Sequence, residues 1–212
     1  MNPSINLERI ARNVIAIGAA TGGIHAVIEI LARLPEDLPA FIGIVIHRGG
    51  DITSNWSDVL GAKTNLRVIE PNDGDLLTRG VVYIAPADCH MTFVRGRVSL
   101  DGGAKEHYAR PAVDPLFSSA ALAYGPRVIG VVLTGGGHDG MRGLLDVTAA
   151  GGISLVQRPS ESQVPSMPEH AIAYDHVVAA LSIEELGDAL RLLARGEPVP
   201  IEGSSTGLAL HG

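Results

Sequence analysis

The sequence predicts an α/β fold, a doubly wound and mostly parallel sheet with helices on both faces and a small hairpin excursion. Three observations predict it. Short β-branched runs are apolar throughout rather than alternating, as strands covered on both faces are. Amphipathic stretches separate them at helical spacing. Glycine-rich loops follow three of the strands.

The elements come in this order. "VIAIG" (Val14 to Gly18) reads as a buried strand. "GIHAVIEILARLP" follows with Ile24, Val27, Ile28 and Leu31 on one helical face and stops near Pro35. "FIGIVIH" (Phe41 to His47) is a second continuous strand, then come the loop "RGGD", a helix around Trp56 to Leu60 and the short strand "NLRVIE". "GVVYIAPADCHMTFVRGRVSL" is broken by "APAD" and "RGR" and reads as a hairpin-like excursion near one sheet edge. The α/β rhythm resumes with the helix "DPLFSSAALAYG", the strand "RVIGVVLTG" and the helix "GMRGLLDVTAAGG". The strand "ISLVQ", a short helix "MPEHAIAYD", the strand "HVVAAL" and the helix "SIEELGDALRLLARG" complete the pattern. Ser182 and Glu185 form a capping box for that last helix. One domain over residues 1–196 is expected, with 197–212 a flexible tail, no internal repeat and no second core.

Composition narrows the function classes. Hydrophobic residues make up 46% of the 212, ample for a core, yet no apolar run approaches the roughly 18 residues of a membrane span. A net charge of -7 argues against a nonspecific nucleic-acid binder, which needs a basic face, and leaves room for a small basic site. Aromatics at 4% disfavour base-stacking platforms. The N-terminal "MNPSINLERIARN" lacks the apolar core of a secretory signal, so a cytoplasmic protein is expected. The single cysteine, Cys89, excludes an intramolecular disulfide and reads as a half-buried small residue ahead of a reactive thiol.

Ligands of open parallel sheets bind beyond the carboxyl ends of the strands. There the sequence places "GAATGG", "HRGG" headed by His47, and "TGGGHDG" with His138 and Asp139. Gly18, Gly22 and Gly23 permit a sharp turn and a helix start whose free N–H groups can hold an anion or an oxyanion, though such a turn can also be purely structural. "GAATGG" is no Walker loop, because Ile24-His25 stands where Lys-Ser/Thr belongs. "GGGHDG" satisfies G-x-G-x-x-G, but Gln157 and Arg158 end the next strand where a dinucleotide fold has an acid, and no cofactor is expected.

His47 ends an apolar strand, and Asp139 can orient its ring by accepting an N–H, as a carboxylate does in hydrolase triads; a lone structural histidine is the bland alternative. Metal binding is disfavoured, since no H-x-x-x-H or cysteine cluster accompanies His138 and Asp139. His25, His90, His107, His170, His176 and His211 read as surface or packing residues. What the constellation lacks is a nucleophile: the tip of the first turn is Ala20, and Thr21 points elsewhere.

At these loops the chain resembles the catalytic domain of the chemotaxis protein-glutamate methylesterases, the CheB family. That family's G-A-S-[TA]-G-G is "GAATGG" here, its strand-ending histidine is that of "IVIH", and its L-T-G-M-G-x-D-G is "LTGGGHDG". "VYIAPADCHM" resembles Y-I-A-P-G-x-x-H and "ARPAVDPLFSSAA" resembles R-P-S-V-D-x-L-F, so the matches run in order from about Val14 to Leu193. The resemblance implies a hydrolase of glutamate methyl esters on chemoreceptors, with glutamine deamidation in related members and no cofactor. It makes His47 the general base, Asp139 its orienter and Ala20 the position of the nucleophilic serine. Thr21, Gly22, Gly23, Gly135 and Gly136 would line the oxyanion and substrate region. Gly136 replaces the family's methionine and His138 its asparagine, which bears on substrate fit. The family's receiver domain finds no match, so a separate receiver-domain regulator is the expected control. A methylated chemoreceptor or similar signalling protein is the expected partner, met by local positive charge at Arg48 or Arg110 unless these are tied in surface salt bridges.

Two readings of Ala20 stay open. It is an inactivating change in an otherwise intact esterase, as the presence of His47 and Asp139 suggests, or the chain is a binding module for a receptor or signalling partner. Loss of a triad serine costs on the order of 10⁶ in kcat.

Overall fold

A computed structural model describes residues 10–47, 55–174 and 177–200. Seven strands form one sheet: β1 (Val14–Ala19), β2 (Phe41–Ile46), β3 (Arg67–Ile69), β4 (Val81–Ile84), β7 (Val128–Val132), β8 (Ile153–Gln157) and β9 (Ala179–Leu181). Their spatial order is β3-β4-β2-β1-β7-β8-β9, and all six pairings are parallel. The chain therefore winds out from β1 in one direction to β3 and returns to wind out in the other. The helices are α1 (Gly23–Leu31), α2 (Trp56–Gly61), α3 (Val113–Tyr124), α4 (Met141–Ala149), α5 (Ser166–Tyr174) and α6 (Ile183–Ala194).

The pleat explains the continuous apolar strands. Ile15, Ile17 and Ala19 of β1 pack with residues of α1 and α6, while Val14 and Ala16 pack with residues of α3 and α4. Every residue of β1, β2, β7 and β8 is buried. Each such Val or Ile contributes about 1.5–3 kcal/mol by leaving water. The expected capping box is present, Ser182 Oγ accepting from Glu185 N at 3.1 Å and Glu185 Oε2 from Ser182 N at 2.7 Å.

The excursion needs correction. Its first part is β4, a fully buried strand between β2 and β3. Only β5 (His90–Val94) and β6 (Arg97–Asp101) form the antiparallel hairpin. That hairpin packs over a face of the sheet rather than at its edge. Phe93 sits on Gly43 of β2, where an added Cβ would fall 2.4 Å from the ring, and meets Phe41 edge-on at 5.5 Å. The last strand is shorter than expected, and Asp175 and His176 lie outside the described residues, as do the "RGG" of the second loop and the tail beyond Pro200.

Candidate active site

The site grows out of sheet register. Gly18 pairs with Val45 on one side and Val132 on the other, so β1 ends between β2 and β7. The ladder runs one step past the strands: His47 N donates to Ala19 O (2.9 Å) and Ala20 N donates to Thr134 O (3.0 Å). Residue 20 thus stands between His47 and the third loop, at the point where the strand order reverses. The turn closes with Gly23 N donating to Ala20 O (2.9 Å). Two glycines are dictated by close approach. Gly22 has φ +80°, and a Cβ on Gly135 would lie 2.7 Å from Ala20 Cβ and 2.3 Å from Met167 Sδ.

His47 Nε2 lies 2.6 Å from Asp139 Oδ2, with the carboxylate 1% exposed and the ring 21%. With Nε2–H donating, the lone pair of the imidazole is on Nδ1. Asp139 also accepts from Val113 N (2.7 Å) and Asp114 N (3.0 Å), the first free N–H groups of α3, whose own N-cap, Ala112, offers no side chain. The carboxylate therefore caps a helix from outside it. Burial alone would raise its pKa; the bond from His47 and those from Val113 and Asp114 outweigh this and hold it below the ordinary carboxylate value.

A second pair lies beside the first. Asp114, also 1% exposed, accepts from His107 Nε2 (2.8 Å) and from Gly143 N in the first turn of α4 (2.7 Å). The two aspartates cap each other's neighbouring helices. His107 is a surface residue, as expected, and its bond to Asp114 gives it a partner that the sequence reading did not assign. It rides on a two-residue turn in which Glu106 and Ala109 exchange both main-chain bonds. His107 (φ 49°) and Tyr108 (φ 62°) are both left-handed, at about 1–2 kcal/mol each for residues with a Cβ. The signal for Asp114 was in "ARPAVDPLFSSAA": an acid in the first turn of a helix belongs with N-terminal N–H groups.

His107, Asp114 and Asp139 have ligand atoms within 4.8 Å of one another, a spacing that could suit a metal ion. Their chemistry points elsewhere, because all four carboxylate oxygens already accept hydrogen bonds from His47, His107 or main-chain N–H groups.

The oxyanion candidates divide. Gly23 N and Gly135 N are spent on Ala20 O and Val164 O, whereas Thr21, Gly22 and Gly136 N–H have no acceptor among the described residues. Thr21 O receives Thr134 Oγ at 3.1 Å, and Gly136 is exposed with nothing within 4 Å of an added Cβ. Gln157, where a dinucleotide fold would carry an acid, accepts Thr134 N at 2.8 Å and so fixes the start of the third loop. Arg110 is tied to Asp88 (2.6 Å) and to Gly102 O and Gly103 O, so it is not a free cation for a partner; Arg48 lies outside the described residues. His90 is a packing residue, buried with Nε2 on Ala104 O. Cys89 is half-buried. A polar cleft of about 390 Å³ opens on the far side of the turn between α1 and α6, lined by Gly22, His25, Glu29, Gln163 and Ser182 among others. No helix among the described residues is long and apolar enough to cross a membrane.

Comparison with known proteins finds relatives in both sequence and fold. The family model described as CheB methylesterase matches residues 15–190. The chain is 36% identical over 200 residues to a protein-glutamate methylesterase/protein-glutamine glutaminase of Methanosarcina mazei, covering 91% of this chain and 54% of that protein. It is 38% identical to the protein-glutamate methylesterase FrzG of Myxococcus xanthus, covering 84% and 53%. The crystal structure of the Thermotoga maritima CheB methylesterase catalytic domain is similar with TM-score 0.80 and 32% identity, covering 85% of this chain and 98% of that one. The chain spans about half the length of the curated relatives it matches.

Proposed function

We propose that this chain, which belongs to the CheB methylesterase family, is built for hydrolysis of glutamyl methyl esters on a methylated chemoreceptor or similar signalling protein and, as it stands, binds its substrate with little or no turnover. The observation that carries this reading is the 2.6 Å contact of His47 with a buried, helix-capping Asp139, one ladder step from residue 20. A hydroxyl at position 20 would attack the ester carbonyl while His47 Nδ1 takes its proton. The oxygen of the tetrahedral intermediate would be met by the open N–H groups of Thr21, Gly22 or Gly136, with Gly23 and Gly135 shaping the wall behind them. The proton then passes from His47 to the departing methoxide, which leaves as methanol, and the same base takes a proton from the water that hydrolyses the acyl ester and releases the glutamate. Glutamine deamidation would follow the same steps with ammonia as leaving group. Ala20 supplies no oxygen for the first step. No cofactor enters the scheme, and a separate receiver-domain protein is the proposed regulator.

Methanol release from a methylated receptor fragment tests it, comparing the chain with Ala20→Ser. Turnover by the serine variant supports the esterase reading. A fragment that binds but is cleaved by neither form would leave a binding module instead.

A further inference from the structure

We propose that a row of rings beside the dyad, His107, His138 and His170 with Tyr108 and Tyr174 at its ends, receives the helical acidic segment on either side of the glutamyl ester; this rests on the esterase reading. His138 and His107 meet edge-on at 4.8 Å, His138 and His170 at 6.3 Å, and His170 stacks on Tyr174 at 6.4 Å. The row thus runs from the turn before α3, across the third loop, to the end of α5. It adjoins Asp139: His138 precedes that residue, and ligand atoms of His107 and Asp139 lie within 4.8 Å.

The outer rings are locked. His107 is held by Asp114, and the Nδ1–H of His170 donates to Gly137 O at 3.0 Å with Ser166 Oγ at 3.3 Å. His138, braced between them, keeps both ring nitrogens without a partner among the described residues and is exposed. The left-handed turn, pinned by Arg142 on Glu106 (3.0 Å), lifts Tyr108 to 99% exposure. Such strain persists where the surrounding structure enforces it, and it concentrates at functional sites. Tyr108 and Tyr174, the latter 64% exposed, are the exposed tyrosines among the described residues; Tyr108 follows His107 in the chain and Tyr174 stacks on His170.

The row selects its occupant by spacing and by chemistry. Steps of 4.8, 6.3 and 6.4 Å bracket the pitch of an α-helix, about 5.4 Å, so successive rings meet side chains one turn apart. Imidazole N–H and phenol O–H groups donate to carboxylates and carboxamides. A chain of net charge -7 would otherwise repel such a segment; beside the row Asp114 and Asp139 are buried with every carboxylate oxygen already accepting a hydrogen bond, Glu106 is paired to Arg142, and Glu169 precedes His170 on α5.

The test is an anisotropy titration of the chain as it stands with a helical glutamate-rich peptide bearing one glutamyl γ-methyl ester. Tyr108→Ala and His138→Ala should each weaken binding about tenfold, because neither side chain supports the fold and aromatic anchors dominate interfaces. In the Ala20→Ser chain the same changes should raise KM more than they lower kcat. Unchanged affinity in both variants, or a parent chain that ignores the peptide, overturns the row. So does a dimer of this chain, seen by light scattering, that Tyr108→Ala dissolves. Turnover by Ala20→Ser with KM untouched by the variants keeps the esterase and discards the row. Binding through the row with no turnover by Ala20→Ser keeps the row and discards the esterase.

Discussion

Two His–Asp pairs stand side by side in this molecule and share nearly everything a search for catalytic residues looks for. Asp139 and Asp114 are each 1% exposed, each contact an imidazole Nε2, and each satisfy main-chain N–H groups at the start of a helix. They differ in what carries the histidine. His47 leaves the end of β2 with its own N–H still in the sheet ladder, so register sets it beside residue 20. His107 leaves a strained turn outside the sheet and turns its ring toward His138. A buried aspartate under a histidine is therefore first a way to end helices in a dry interior. Placement at the crossover of the sheet is what gives one pair an ester to work on in the proposed reaction.

The comparison breaks most visibly at residue 20. Ala20→Ser should raise methanol release by a factor on the order of 10⁶, the cost of a missing triad serine. In that background Asp139→Asn should lower kcat by about 10⁴, because the amide cannot hold the imidazole in the required tautomer. Asp114→Asn should lower kcat by less than about tenfold, while both variants lose about 1–3 kcal/mol of unfolding free energy from damaged helix starts. Steady-state rates with urea unfolding of the same samples separate the two effects. Equal losses of kcat would erase the distinction between the pairs.

Adjacent glycines of the third loop give the next largest difference. Gly135→Ala drives a methyl against Ala20 Cβ and Met167 Sδ and should cost about 1–3 kcal/mol by overpacking. Gly136→Ala meets open space and should stay within about 0.5 kcal/mol. Thermal unfolding of the two variants decides it, and matching melting temperatures would show that the loop does not hold Gly135 against residue 20.

Much of this was legible in the sequence because parallel strands buried on both faces cannot alternate. β1, β2, β7 and β8 announce themselves as unbroken apolar runs, and the glycines and His47 that follow them fall on one edge by necessity. The pairing of His47 with Asp139 followed from the same edge argument. β4 was lost in a hairpin because "VVYI" and "MTFV" look alike and the partner of a strand is a non-local choice; β4 pairs with β2 across more than 35 residues of chain. The second pair was illegible for a different reason. His107 reaches Asp114 only because His107 and Tyr108 adopt a backbone conformation that sequence rules reserve for glycine and asparagine. The helix-capping role of Asp139 was equally hidden, since its two N–H donors lie about 25 residues upstream, a separation the bond itself spans.

The smallest effect is a dependence on pH that belongs to Asp139. Its folded pKa lies below the ordinary carboxylate value, since the bonds from His47, Val113 and Asp114 together overcome the opposing cost of burial. The sign follows from linkage. A carboxyl with a depressed folded value adds stability that is complete above its unfolded pKa, about 3.9, and is lost as pH falls through the folded value. Asp139→Asn lacks that contribution at every pH. The variant should therefore be less stable than its parent near neutrality, and the gap should close as pH drops below about 4. Urea midpoints from pH 7 to pH 3 would trace the closing gap. If parent and variant instead lose stability in parallel over that range, the carboxylate is not held ionised by its three donors, and the dyad loses the electrostatic half of its argument.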